Sequence, residues 1–149
     1  MIRGMSMPVR LEAIVNDFKS APKPLRLQLL LEYSGKVSAL PEYLASARDS
    51  MERVHECQTP FFLLAEFGED ECVVFHFDAP PEAPTTRGFA GILTEGLSGL
   101  SAAEILATPD DFYTTMGLAE VISPLRLRGM SAIMRRLKRQ IREHDNNAA

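Results

Sequence analysis

Two short apolar segments, Phe61-Phe62-Leu63-Leu64-Ala65-Glu66-Phe67 and Cys72-Val73-Val74-Phe75-His76-Phe77, flank Gly68-Glu69-Asp70-Glu71, and no other feature constrains the fold as much. Aromatic and β-branched runs of this length around a polar, glycine-containing turn predict an antiparallel hairpin over about 60–67 and 71–78. A turn centred on Glu69 sets Cys72 opposite Glu66.

Helical patterns surround the hairpin. Leu11, Ile14, Val15 and Phe18 follow the i, i+3, i+4, i+7 spacing of an amphipathic helix, which Ala21-Pro22-Lys23-Pro24 ends. A second helix is expected over about 25–37 with Leu27, Leu30, Leu31 and Ser34 on one face, and residues 41–53 read as an irregular connection. After the proline-rich stretch 79–84, Thr85 or Thr86 is the expected cap of a helix reaching about Leu97. Ser101-Ala102-Ala103-Glu104 is a capping box. Ser123 and Pro124 open a last helix, expected over about 124–142, with Met130, Ile133, Met134, Leu137 and Ile141 in one stripe. The sum is an α+β fold, a small antiparallel sheet flanked by helices. One domain over residues 1–149 is expected, with short flexible ends at about 1–8 and 143–149.

A chain of 149 residues buries about 70% of its unfolded surface, so neither a disulfide nor a structural metal is needed for folding. The two cysteines, Cys57 and Cys72, therefore matter for their chemistry. Without a C-x-x-C pair they do not suggest a disulfide scaffold, a zinc ribbon or a thioredoxin-like motif. His55-x-Cys57 and Cys72-x-x-x-His76 offer four zinc-competent side chains, but the hairpin register holds the two cysteines roughly 30 Å apart along the strand. Neither a shared metal nor a disulfide closes that gap. Cys72, inside a strand, reads as a small buried hydrophobe. Cys57, in the polar stretch Arg53-Val54-His55-Glu56-Cys57-Gln58-Thr59-Pro60, is where an accessible thiol belongs. The same register brings it beside Pro81 and the start of the helix at Thr85 or Thr86, and a helix N-terminus lowers a thiol's pKa, although Glu56 opposes the thiolate.

Other chemistries are poorly represented. G-x-G-x-x-G, G-x-x-x-x-G-K-[ST], H-E-x-x-H and G-x-S-x-G are all missing. Gly88-Phe89-Ala90-Gly91 reads as a close-packing pair, and Glu69-Asp70-Glu71 as solvated turn charge. The net charge of −4 disfavours nucleic acid. Seven of the 16 basic residues fall between Arg126 and Arg142 with no acid among them, and they read as the solvated outer face of the last helix. No stretch resembles a signal peptide or a membrane span, so a reducing, cytoplasmic setting without a membrane partner is expected.

Four blocks together resemble the SufE family of sulfur acceptors. Val54-His55-Glu56-Cys57-Gln58-Thr59 is similar to that family's Val-x-Gly-Cys-Gln-Ser acceptor loop, with Glu56 in place of the glycine and Thr59 in place of the serine. Leu31-Glu32-Tyr33-Ser34-Gly35 resembles its second helix, and Gly88 with the stretch 99–106 its central helices. Ile122-Ser123-Pro124-Leu125-Arg126-Leu127-Arg128-Gly129-Met130 resembles its Ser-Pro-x-Arg-x-x-Gly helix start. The resemblance implies a SufE/IscU-like fold and a persulfide carried on Cys57, with Gln58 and Arg126 as binding residues. It also implies no cofactor of the chain's own, and a pyridoxal-phosphate cysteine desulfurase of the SufS type as partner, whose turnover the chain stimulates. Further candidate partners are an iron–sulfur scaffold and a second copy of the chain. The competing reading is a non-catalytic module docking a partner through the basic last helix; a thiol redox sensor needs a resolving cysteine that the register does not supply.

Overall fold

The hairpin forms where the apolar segments place it. In the computed structural model, which describes residues 7–148, β2 (Phe62–Phe67) pairs antiparallel with β3 (Cys72–Asp78). The register differs by one residue per strand from expectation: Glu66 faces Val74, and Phe67 faces Val73. The turn explains this. Gly68 N donates to the Cys72 carbonyl at 2.8 Å, and Glu71 takes a left-handed φ of 64°. That is a three-residue hairpin loop, 69–71, with its last residue in the αL region, centred on Asp70 instead of Glu69. Asp70 Oδ1 accepts from Cys72 N at 3.1 Å and holds the turn.

Two-residue strands complete the sheet. β1 (Glu52–Arg53) adds to β2 and β4 (Leu100–Ser101) to β3, giving the order β1-β2-β3-β4. Strands this short carry no readable alternation. The segment expected to be irregular, 41–53, accordingly holds β1 and a helical turn, α3 (Glu42–Ala45). Leu63, Val73, Phe75 and Phe77 are buried on one face of the sheet.

On the helical side, α1 (Val9–Ser20) buries Leu11, Ile14, Val15 and Phe18, as their spacing dictates. α2 (Lys23–Tyr33) is turned away from its expected face: Leu30 is buried, but Leu27 is 37% exposed. The cause lies in α4 (Pro84–Gly96), whose backbone presses on the end of α2. A β-carbon on Gly88 would stand 2.3 Å from the Leu30 carbonyl oxygen, and one on Gly91 1.8 Å from that of Tyr33. This contact also fixes α4, whose first turn borders the cysteine loop. Its N-cap is Ala83, with no side-chain cap, so neither Thr85 nor Thr86 caps as expected.

α5 (Ala102–Ala107) opens on the expected capping box. α6 (Pro124–Ala148) starts with Arg126 N donating to Ser123 Oγ at 3.3 Å and buries all five residues of its predicted stripe. It runs beyond the expected end at about 142, so there is helix where a flexible tail from about 143 was expected; Phe67 and His144 stack at 3.6 Å on this extension. Most of the expected N-terminal tail, residues 1–6 of 1–8, lies outside the described residues. Among the described residues no helix is long and apolar enough to cross a membrane.

Candidate functional site

The loop between β1 and β2 presents Cys57. Its base is closed by Val54 N donating to the Phe61 carbonyl at 2.8 Å, and both side chains are fully buried. Cys57 N donates back to the Val54 carbonyl at 3.1 Å, a turn that folds the tip inward. The side chain is therefore 7% exposed and belongs to the hydrophobic core. Opposite it lies Gly129 of α6, where a β-carbon would stand 3.3 Å from Cys57 Sγ. A methyl group at 129 would be tighter than ordinary contact, and the sulfur would have to shift by a few tenths of an ångström.

Beside the sulfur is a cavity of about 90 Å³. Cys57, Gln58 and Thr59 line it from the loop, Glu82, Ala83 and Thr86 from the entry to α4, and Leu125, Arg126 and Gly129 from α6. The three residues singled out by sequence, Cys57, Gln58 and Arg126, thus share one cavity. Arg126 Nη1 donates at 3.0 Å to Oγ1 of Thr85, which is buried. Gln58 is exposed.

The expected electrostatics are reversed. The Cys57 thiol is pushed up to about 11, first by burial and then by Glu56, with Arg136 opposing. The loop does reach the start of α4, but the sulfur sits in the core, where burial outweighs any effect of the helix terminus. Cys72, expected to be buried, is half-buried at the start of β3; its pKa too is raised, by burial and by Asp70. Cys57 is thus the enclosed cysteine and Cys72 the more open one. Both are free. The other residues of the four-ligand zinc arrangement lie elsewhere: His76 Nε2 pairs with Glu66 at 2.9 Å, and His55 is exposed on the loop.

The basic stretch of α6 is solvated at Arg126, Arg128, Arg135, Arg139 and Arg142, but Arg136 and Lys138 turn toward the body of the chain. Arg136 bridges Glu52 at 2.6 Å and Glu56 at 2.7 Å, and Arg139 pairs with Glu52. Lys138 is buried, donating to the Thr108 carbonyl and standing 2.5 Å from Asp110. Burial raises the Glu52 carboxyl, but hydrogen bonds from Arg139, Gln140 and Arg136 outweigh it and hold the group below its usual range. The Arg136 hydrogen bond does the same for Glu56. Glu52, Thr85 and Gly129 are site residues that the pattern analysis did not single out. Spaced acids and arginines eighty residues apart give no local signal, and Gly129 stood out only as part of the helix-start block.

With this geometry in hand, comparison with known proteins is specific. The family model SufE, described as an Fe-S metabolism associated domain, matches residues 12–141. An uncharacterized SufE-like protein of Mycobacterium tuberculosis is 52% identical over 145 residues, covering 97% of this chain and 100% of that protein. The cysteine desulfuration protein SufE of Plasmodium falciparum is 27% identical over 133 residues, covering 87% of this chain and 52% of that protein. The solution structure of a hypothetical protein from Thermus thermophilus superimposes with a TM-score of 0.81 at 47% identity, covering 92% of this chain and 96% of that one.

Proposed function

The chain belongs to the SufE family, whose domain is associated with iron–sulfur metabolism, and from that premise we propose that Cys57 accepts sulfur from the persulfide of a cysteine desulfurase. The observation that carries this reading is the seating of the thiol: a lone cysteine at a loop tip, enclosed, with about 90 Å³ of free space beside it. A water needs only about 10–15 Å³ of such space, so an added sulfur atom fits.

The chemistry resembles thiol–disulfide exchange. The Cys57 thiolate attacks the outer sulfur of the donor persulfide, forming a new S–S bond as the donor's own S–S bond breaks. The donor cysteine leaves as a thiolate, and Cys57 retains the sulfur as a persulfide. Electrons balance without any external oxidant. With its pKa near 11, the enclosed thiol is ionised in only about one molecule in ten thousand at neutral pH. Reaction therefore requires the loop to carry Cys57 outward, which removes the largest cause of the shift. Exposed Leu125 and Gln58 at the cavity rim offer the desulfurase an apolar and a polar contact. Arg126, anchored on Thr85, lines the same cavity and supplies a cation to the persulfide once the loop has closed again. Sulfur then passes to an iron–sulfur scaffold.

Incubation with a cognate desulfurase, cysteine and pyridoxal phosphate tests this. Cys57 should gain one sulfur atom by mass, and desulfurase turnover should rise. Cys57→Ser should lose both responses and Cys72→Ser should keep both. Sulfur on Cys72, or undiminished stimulation by Cys57→Ser, would overturn the proposal. Of the basic residues on which the docking-module alternative rests, Lys138 is buried and pairs with Asp110 within the chain.

A further inference from the structure

The reading that Cys57 must leave its cavity to react raises the question of what holds the loop shut. We propose that the Glu56–Arg136 ion pair is a latch on the cysteine loop, released when a carboxylate of an acidic protein partner takes Glu56's place on the arginines.

Glu56 immediately precedes Cys57. One of its carboxylate oxygens accepts from Arg136 Nη2 at 2.7 Å, and the other lies 3.8 Å from Arg135. The loop tip is joined to α6 by this pair, by the longer contact to Arg135 and by the seat of the sulfur against Gly129. Arg136 itself cannot follow the loop outward. Its Nη1 donates to Glu52 of β1 at 2.6 Å, and Gln140 donates to the same carboxylate at 2.8 Å. Gln140 in turn accepts from Ala65 N of β2 at 2.8 Å, tying the network to the sheet. Glu52 is thus the fixed end of the network, and Glu56, with its side chain 38% exposed, is the end that can part.

The arginines remain attractive to an anion when Glu56 departs. Glu56, Arg135, Arg136 and Arg139 line a cavity of about 280 Å³, with Arg135 and Arg139 about half exposed. Three guanidiniums here face two carboxylates, leaving one positive charge uncompensated, and Arg136 Nε is buried without a hydrogen-bond partner. Loss of Glu56 leaves two. Guanidinium groups accept carboxylates in a planar, two-bonded geometry, so an aspartate or glutamate of a partner competes for the donors Glu56 uses. Charge complementarity therefore selects an acidic segment.

Alkylation of Cys57 by iodoacetamide in a Cys72→Ser background tests the latch without a desulfurase, so it can fail while sulfur transfer stands, and the reverse. Glu56→Gln should accelerate alkylation roughly two- to fivefold, the range an exposed ion pair commands. Arg136→Gln separates the latch from simple electrostatics. Arg136 favours the Cys57 thiolate, so its loss alone slows alkylation, whereas loss of a latch speeds it. Poly-glutamate should accelerate alkylation of the parent chain beyond sodium chloride at equal ionic strength, and should add nothing to Glu56→Gln. Slower alkylation of Arg136→Gln overturns the latch. A faster Arg136→Gln together with no response of the parent chain to poly-glutamate overturns release by a carboxylate.

Discussion

Replacing Gly129 by alanine places one methyl group where α6 meets the cysteine. It would stand 3.3 Å from Cys57 Sγ, just inside the 3.4 Å at which ordinary contact begins. Two effects oppose each other. Alanine in a helix interior is favoured over glycine by about 1 kcal/mol. Overpacking a rigid site costs about 1–3 kcal/mol. The Cys57 loop, however, is held at its tip by one sulfur and by the partly exposed pairing of Glu56 with Arg136 and Arg135, so it yields before the helix does. Net stability should stay within about 1 kcal/mol of the parent, a Tm change of no more than roughly 2–4 °C for a chain of this size. Alkylation of Cys57, again with Cys72→Ser, should rise several-fold, because the methyl and the sulfur no longer share the seat comfortably. A melting curve and a labelling time course suffice. If alkylation is unchanged, whether Tm rises or falls, Gly129 does not seat the thiol and the reasoning fails.

Gly91→Ala should behave quite differently, since its β-carbon would stand 1.8 Å from the Tyr33 carbonyl, which is backbone and cannot yield; a loss of about 3 kcal/mol or more, read as a fall of at least roughly 6–12 °C in Tm, is expected. Raising the pH should open the cysteine loop. A thiol raised from 9.0 to about 11 favours the closed form fully below pH 9.0 and loses that contribution as pH passes about 11. With allowance for solvent screening this amounts to about 1–2 kcal/mol, and ultraviolet thiolate absorbance of the native Cys72→Ser chain should titrate near the upper value. Glu52→Gln should cost about 1–3 kcal/mol at neutral pH by denaturant titration, because three donors lose their carboxylate. Folding holds the Glu52 carboxyl below 4.5, so its contribution is present above that pH, and the gap between the two chains should close as pH falls through the depressed value. Arg126→Ala should lose about 1 kcal/mol with the Thr85 hydrogen bond, and it should also reduce desulfurase stimulation; unchanged stimulation would reduce Arg126 to a structural residue.

Much of this architecture is written locally. The stripe from Met130 to Ile141, the Ser101 capping box and the hairpin strands each follow from neighbours within a few positions, and each is found. The errors arise where distant backbone decides. The inward face of α2 is set by Gly88 and Gly91, more than fifty residues on. The hairpin register turns on Glu71 adopting a positive φ, which its side chain does not advertise. Cys57 was legible as the reactive candidate from its loop context and family block, but its enclosure was not. Burial there depends on a missing side chain at Gly129, seventy-two positions away, and a polar loop sequence ordinarily means an exposed one.

Enclosure of Cys57 also shapes how a partner's binding would look from outside. Parting an exposed ion pair costs about 0.5–1 kcal/mol, and uncovering a small apolar side chain about another 1 kcal/mol, so the outward loop makes up a few per cent of molecules at equilibrium. A protein that recognises only this minority form shows an apparent Kd weaker than its intrinsic Kd by the inverse of that fraction, roughly ten- to thirtyfold. Substitutions at Glu56, Arg136 or Gly129 that shift the equilibrium will therefore change measured affinity even when the interface itself is untouched, and a binding constant alone cannot distinguish a better contact from a looser loop.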